Sequence, residues 1–200
     1  MVLCQKPTWE EIDRIARVFG VSHDDFWTLY EKNRGLYDRG DLTPAQYWFR
    51  FAEDTGVTLD DATTEWLQNW DIGMWSTMIT PMIDWARRLR AAGYKTAILS
   101  NLHQRFVWHL RKNAQWLQTF DCQIFSCEAG LVKPDLTIFQ LSLKTLALKG
   151  KEVLLVDDRE ANVEAAQRTG MTAICFQSVE ALSVELNRIA FDVLPEPHKN

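Results

Sequence analysis

The sequence is poor in the residues that build metal clusters or disulfide frameworks. Its four cysteines, Cys4, Cys122, Cys127 and Cys175, form no C-x-x-C pair, and the four histidines do not cluster with them. That spacing argues against zinc and predicts buried, reduced thiols in a cytoplasmic protein. No apolar run approaches the ~20 residues that a membrane-spanning helix needs. The opening residues MVLCQKPTWEE lack the basic and then apolar segments of a signal peptide. Basic charge is not in excess either: 22 Lys and Arg stand against 27 Asp and Glu, a net charge of -5. A basic face for nucleic acid is therefore not expected. Internal repeats and low-complexity segments are absent.

What is present is an ordinary globular composition, 46% hydrophobic and 24% charged over 200 residues. That suits one domain, or one domain carrying a smaller insertion. The texture changes near residue 80. From Thr8 to Trp75 only helix signals occur. Thr8-Trp9-Glu10-Glu11 reads as a capping box for a helix ending near Gly20. Ser22-His23-Asp24-Asp25 opens a second helix, and Thr43-Pro44 a third with Pro at its first position. A fourth is predicted over Thr58 to Trp70. Six of the nine tryptophans lie here: Trp9, Trp27, Trp48, Trp66, Trp70 and Trp75. Their helical spacing favours large side chains cementing a small bundle over an aromatic substrate cage.

From Thr80 onward, short apolar runs alternate with amphipathic helices. A helix from Thr80 to Gly93 precedes a strand, Lys95 to Leu99, and a helix from His103 to Leu117 follows it. CQIFS (Cys122 to Ser126) is a second strand. Asp135 to Leu148 is a helix with Leu136, Phe139, Leu143 and Leu146 on one face. Val153 to Val156 is the third strand, followed by a helix to Gly170. Thr172 to Phe176 is the fourth. This order predicts an α/β fold: a Rossmann-like parallel sheet with helices on both faces. Active sites in such sheets lie at the carboxyl ends of the strands.

The residues after each strand suit phosphoryl chemistry. Ser100 and Asn101 follow the first strand, and the loop containing Lys133 follows the second. Asp157 and Asp158 follow the third, with Asn162 one helical turn beyond. Two carboxylates can hold Mg²⁺, and a lysine and a hydroxyl can neutralise and hydrogen-bond phosphoryl oxygens. Each residue alone also has a bland use as a turn, cap or solvated charge. Their joint occurrence, in order and each after a strand, is what gives the pattern weight.

AILSN, GLVKPD and LLVDDREAN resemble the second, third and fourth motifs of the haloacid dehalogenase-like (HAD) hydrolase superfamily. YDRGDLTPAQYW, Tyr37 to Trp48, resembles the branch with a helical cap inserted after the first strand. The resemblance covers essentially the whole chain. It implies a Rossmann-like core from residues 1–7 and 80–200, with a helical cap over 8–79. It casts Ser100, with Asn101 beside it, as the phosphate contact and Lys133 as the charge-screening lysine. Asp158 and its partner Asp157 become the Mg²⁺ ligands, with Asn162 in support.

The first motif of that family, whose leading Asp is the nucleophile, has no match. No Asp precedes Asp13, which sits in a helical stretch. Val2 and Leu3 resemble the residues just downstream of that motif, which would place the nucleophile before Met1. The family's central strand would be missing with it. That would leave an apolar slot and unpaired backbone groups, each costing about 1–3 kcal/mol. The simplest expectation is a truncated sequence lacking about 10–15 residues. The resemblance implies a Mg²⁺-dependent phosphatase acting on a small phosphorylated metabolite through an aspartyl-phosphate, as a monomer or homodimer. The alternatives are a 2-haloacid dehalogenase, which needs no metal, and a catalytically dead binding module. The C-terminal stretch from Leu194 to Asn200 is expected to be a loose tail.

Overall fold

The computed structural model describes residues 1–196. Five helices come first: α1 (Trp9–Phe19), α2 (His23–Lys32), α3 (Arg34–Arg39), α4 (Pro44–Thr55) and α5 (Asp61–Met74). Thr8 and Thr43 close capping boxes on α1 and α4, and Ser22 caps α2, as their sequences predict. The fourth predicted helix starts three residues late. Asp60, accepting from the Thr63 N–H at 2.7 Å, caps α5 instead of a start at Thr58. The short α3 carries no side-chain cap and was not predicted.

Ile12, Ile15, Ala16 and Phe19 recur at helical spacing on α1, and they bury against Phe26, Trp48, Phe51 and Leu67 in one shared core. Trp48 is at its centre, with Trp27, Trp70 and Trp75 packed around it. Trp9 and Trp66 are not part of this cement, being 69% and 38% exposed.

The second half contains α6 (Thr80–Ala91), β1 (Ala97–Ser100), α7 (Gln104–Asn113) and β2 (Cys122–Phe125). There follow α8 (Ser126–Ala129), α9 (Leu136–Leu146), β3 (Leu154–Asp157), α10 (Glu160–Arg168), β4 (Thr172–Cys175) and α11 (Val179–Arg188). The helix predicted to reach Leu117 stops at Asn113. The Asn113 side-chain amide donates to the His109 carbonyl at 2.9 Å, and a 3-10 turn over Gln115–Thr119 follows.

The strands are parallel, but they form two two-stranded sheets, β1 with β2 and β3 with β4. Ala97 is in register with Cys122 and Ser100 with Phe125; Leu154 pairs with Thr172 and Asp157 with Cys175. Among the described residues no strand joins β1 to β3. Leu3 packs against both flanking clusters, one containing Ile98 and the other Leu154 and Val156. The Leu3 carbonyl accepts from the Ile79 N–H at 2.8 Å, and Cys4 bridges Met78. The first residues thus pair with the segment before α6 rather than with a strand.

Two other expectations change. The four thiols are free but only half-buried. The predicted loose tail is anchored over its described part. Arg88 donates to the Leu194 carbonyl at 2.6 Å, and Ser183 donates to the Pro195 carbonyl at 3.0 Å. Residues 197–200 of that stretch lie outside the described residues.

Candidate active site

Lys133 joins the residue after β1 to the end of β3: Asn101 bonds its backbone and Asp157 its side chain. Its Nζ lies 2.5 Å from Asp157 Oδ2, and the two side chains are 10% and 5% exposed. Burying this pair is tolerable because the carboxylate is otherwise fully satisfied. Asp157 Oδ1 accepts from the Asn162 amide at 2.8 Å and from the Arg159 backbone N–H at 3.0 Å. Asn162 is itself buried on the first turn of α10, so helix periodicity aims it back at the strand end.

Asn101 does something different from the role expected beside a phosphate contact. Its Nδ2 donates to the Lys133 carbonyl at 2.9 Å, and its Oδ1 accepts the Lys133 N–H at 2.8 Å. Both ends of the amide therefore hold the lysine's backbone. Ser100 closes β1 in a half-buried position. Among the described residues its hydroxyl has no hydrogen-bond partner, so it is available to a ligand. Asp158 differs from Asp157 in environment: its side chain is 26% exposed, and Oδ2 faces the Met1 amino nitrogen at 3.0 Å. Beyond it, Arg159 reaches to α2, where its Nη2 lies 2.7 Å from Glu31 Oε1.

These residues suit a hard cation in chemistry if not in number. Mg²⁺ is commonly held by one or two carboxylates together with water. Asp158 has a free oxygen for it, whereas Asp157 is committed to Lys133, Asn162 and the backbone. Among the described residues no group of three or more His, Cys, Asp or Glu gathers as a ready cage. Asp13 is no substitute nucleophile; it lies on α1, half exposed, and pairs with Arg17.

A buried polar network beside the site was not foreseen from the sequence. Asp71, on α5, is fully buried. The Tyr30 hydroxyl donates to its Oδ1 at 2.5 Å, Arg34 reaches both its oxygens at 3.3 Å, and His103 Nε2 lies 3.2 Å from Oδ2. Arg34 also pairs with Asp38 at 3.0 Å and donates to Tyr30, while Trp75 Nε1 donates to Tyr30 at 3.0 Å. Burial pushes the Asp71 carboxyl up, but Arg34, His103 and Tyr30 overcome it and leave the group at about 2. For Asp38 burial prevails over Arg34, and its carboxyl is raised. The sequence does hold a signal for Asp71: it interrupts the buried face of α5, between Leu67 and Met74.

No helix of the described residues is long and apolar enough to cross a membrane. The chain is 30% identical over 121 residues to bifunctional epoxide hydrolase 2 of Rattus norvegicus, covering 58% of this chain and 22% of that protein. It therefore spans about a fifth of that relative's length. A sesquiterpene phosphatase of Aspergillus oryzae is 24% identical over 153 residues, 76% of each chain. A HAD family enzyme of Bacteroides thetaiotaomicron, solved with magnesium and inorganic phosphate, superposes with a TM-score of 0.68 at 20% identity, covering 87% of this chain and 89% of that one. The profile of the haloacid dehalogenase-like hydrolases matches residues 5–170, and the protein belongs to that family of hydrolases.

Proposed function

We propose that the site serves Mg²⁺-dependent hydrolysis of a small phosphomonoester. The observation that carries this reading is the buried Lys133–Asp157 pair at the end of β3, with Asp158 next in sequence and Ser100, whose hydroxyl is unpartnered among the described residues, ending β1. Lys133 neutralises negative charge where a phosphoryl group would sit, and Ser100 donates to one of its oxygens. Asp158, backed by Asp157, would hold Mg²⁺, which when bound supplies further charge neutralisation at the phosphoryl oxygens. Asn162 and the Arg159 N–H keep Asp157 in place for this work. Asn101 fixes the lysine's backbone. The helices over residues 8–79 act as the cap that excludes water and selects the substrate. The sesquiterpene phosphatase and the magnesium–phosphate complex among the relatives support phosphorus over carbon as the point of attack.

Nucleophilic attack needs a further carboxylate, and among the described residues none besides Asp157 and Asp158 is brought to the site. The test is hydrolysis of p-nitrophenyl phosphate with and without Mg²⁺, with Asp158→Asn as control, alongside calorimetry of inorganic phosphate binding. Phosphate binding that requires Mg²⁺ and Asp158, without turnover, supports a phosphoryl site awaiting its nucleophile. Metal-independent turnover of 2-chloropropionate would replace the reading with a dehalogenase. Absence of both binding and turnover would refute it.

A further inference from the structure

The segment between β1 and α7 is pinned residue by residue, and two of the pins reach the helical layer. Asn101 is tied to Lys133. The Leu102 N–H donates to Ser126 Oγ at 2.9 Å, and that hydroxyl donates to the Asp38 carbonyl of α3 at 2.5 Å. His103 caps α7, its Nδ1 accepting the Phe106 N–H at 3.3 Å. A neutral ring that accepts at Nδ1 must carry its hydrogen on Nε2. Nε2 makes no hydrogen bond among the described residues, and Asp71 Oδ2 lies 3.2 Å from it.

Asp71 is built to hold that position. Its Oδ1 takes the Tyr30 hydroxyl, Arg34 lies across both oxygens, and the side chain is fully buried. Asp38 already answers the Arg34 charge at Nε. Asp71 is therefore not needed merely to neutralise the arginine, and its Oδ2, which Arg34 also reaches, faces His103. The Tyr37 ring stacks on the imidazole at 4.2 Å and fixes its plane.

We propose that Asp71 is a positioning residue for the phosphoryl-binding loop. Its carboxylate, carried by the helical layer, faces the Nε2 edge of His103 at 3.2 Å and holds the ring's position, and that ring sets the start of α7 and with it Ser100 and Asn101. The docked position of the helical layer is thereby coupled to the loop that meets the substrate. This rests on the phosphoryl-site reading given above for the loop's role, while the coupling itself is observable without it.

The experiment uses the ¹⁵N-labelled 200-residue protein, with Mg²⁺ and inorganic phosphate as the probe. Wild-type protein is expected to show the Nε2–H signature of His103. In Asp71→Asn the ring resonances change, the amides of Ser100, Asn101 and Leu102 shift, and phosphate binds roughly tenfold more weakly as the loop is displaced. His103→Asn retains a capping side chain. In that background, adding Asp71→Asn should alter phosphate affinity by less than about twofold, because the two residues act through one path. If Asp71→Asn does not fold, His103→Asn decides: it keeps a cap but loses the ring that faces Asp71, so loop amides and phosphate affinity should move in it as in His103→Ala, and their recovery in His103→Asn alone overturns the proposal. Unchanged ring and loop signals in Asp71→Asn, or equal losses with and without His103, overturn the proposal. Wild-type protein that shows the Asp71-dependent loop signals but binds no phosphate refutes the phosphoryl-site reading alone.

Discussion

Lys133 and Asp157 form a buried ion pair, 2.5 Å from Nζ to Oδ2, between residues 24 apart in sequence. The pair joins the loop after β2 to the end of β3. Asp157 Oδ1 is satisfied by the Arg159 N–H and the Asn162 amide.

Removing the cation should expose how much this arrangement depends on it. Lys133→Met leaves the Asp157 carboxylate buried with only the Asn162 amide and the Arg159 N–H. Breaking one side of such a pair costs about 3–5 kcal/mol. Urea unfolding monitored by tryptophan fluorescence should show a loss of that order. A loss under about 1 kcal/mol would mean the carboxylate is already compensated by its neutral partners.

The two aspartates should separate by function. Asp158→Asn, at a half-exposed position, should lower Mg²⁺ affinity at least tenfold while changing unfolding free energy by under about 0.5 kcal/mol. Asp157→Asn should lose stability as well, since it abandons Lys133 inside the protein. Titration calorimetry with MgCl₂ and urea unfolding on both variants distinguish them.

Asn101→Ala removes both hydrogen bonds to the Lys133 backbone and should cost about 1–3 kcal/mol. The sharper readout is local. The Lys133 N–H donates to Asn101 Oδ1, so its hydrogen exchange should accelerate in the variant more than that of the helix α9 amides.

Acid should act on the Asp71 network with a defined sign. The folded carboxyl, at about 2, lies below the ordinary value near 3.9 of an unfolded chain. Its contribution to stability is complete above roughly pH 4 and is lost as pH falls through about 2. Asp38 is shifted the opposite way, so its protonation on acidification favours the fold. Asp71→Asn should be less stable than wild type at neutral pH and should show a shallower decline between roughly pH 4 and pH 2. Chemical unfolding at stepped pH measures both.

The periodic features of the chain were readable before any coordinates. The capping boxes at Thr8 and Thr43 and the buried stripe of α1 need only residues three or four apart. The three parallel-strand ends needed only the alternation of apolar runs and helices. Asp157, Asp158 and Ser100 were expected at strand ends, and Ser100 closes β1 while Asp157 closes β3 with Asp158 directly after it. Elements decided by a side chain's competition for backbone groups were less legible: Asp60 rather than Thr58 starts α5, and Asn113 ends α7.

The sequence by itself determined the family, the α/β order and the residue types at the strand ends, because those are written in local spacing. Only the tertiary structure decided what each of those residues does. It turned Asn101 onto Lys133, divided the strands into two pairs with Leu3 against both flanking clusters, and brought Asp71 to His103 across 32 residues of chain. The reason is physical. A buried polar group takes whichever partner packing brings within about 3 Å, and that partner is fixed by the docking of whole layers rather than by neighbours in sequence.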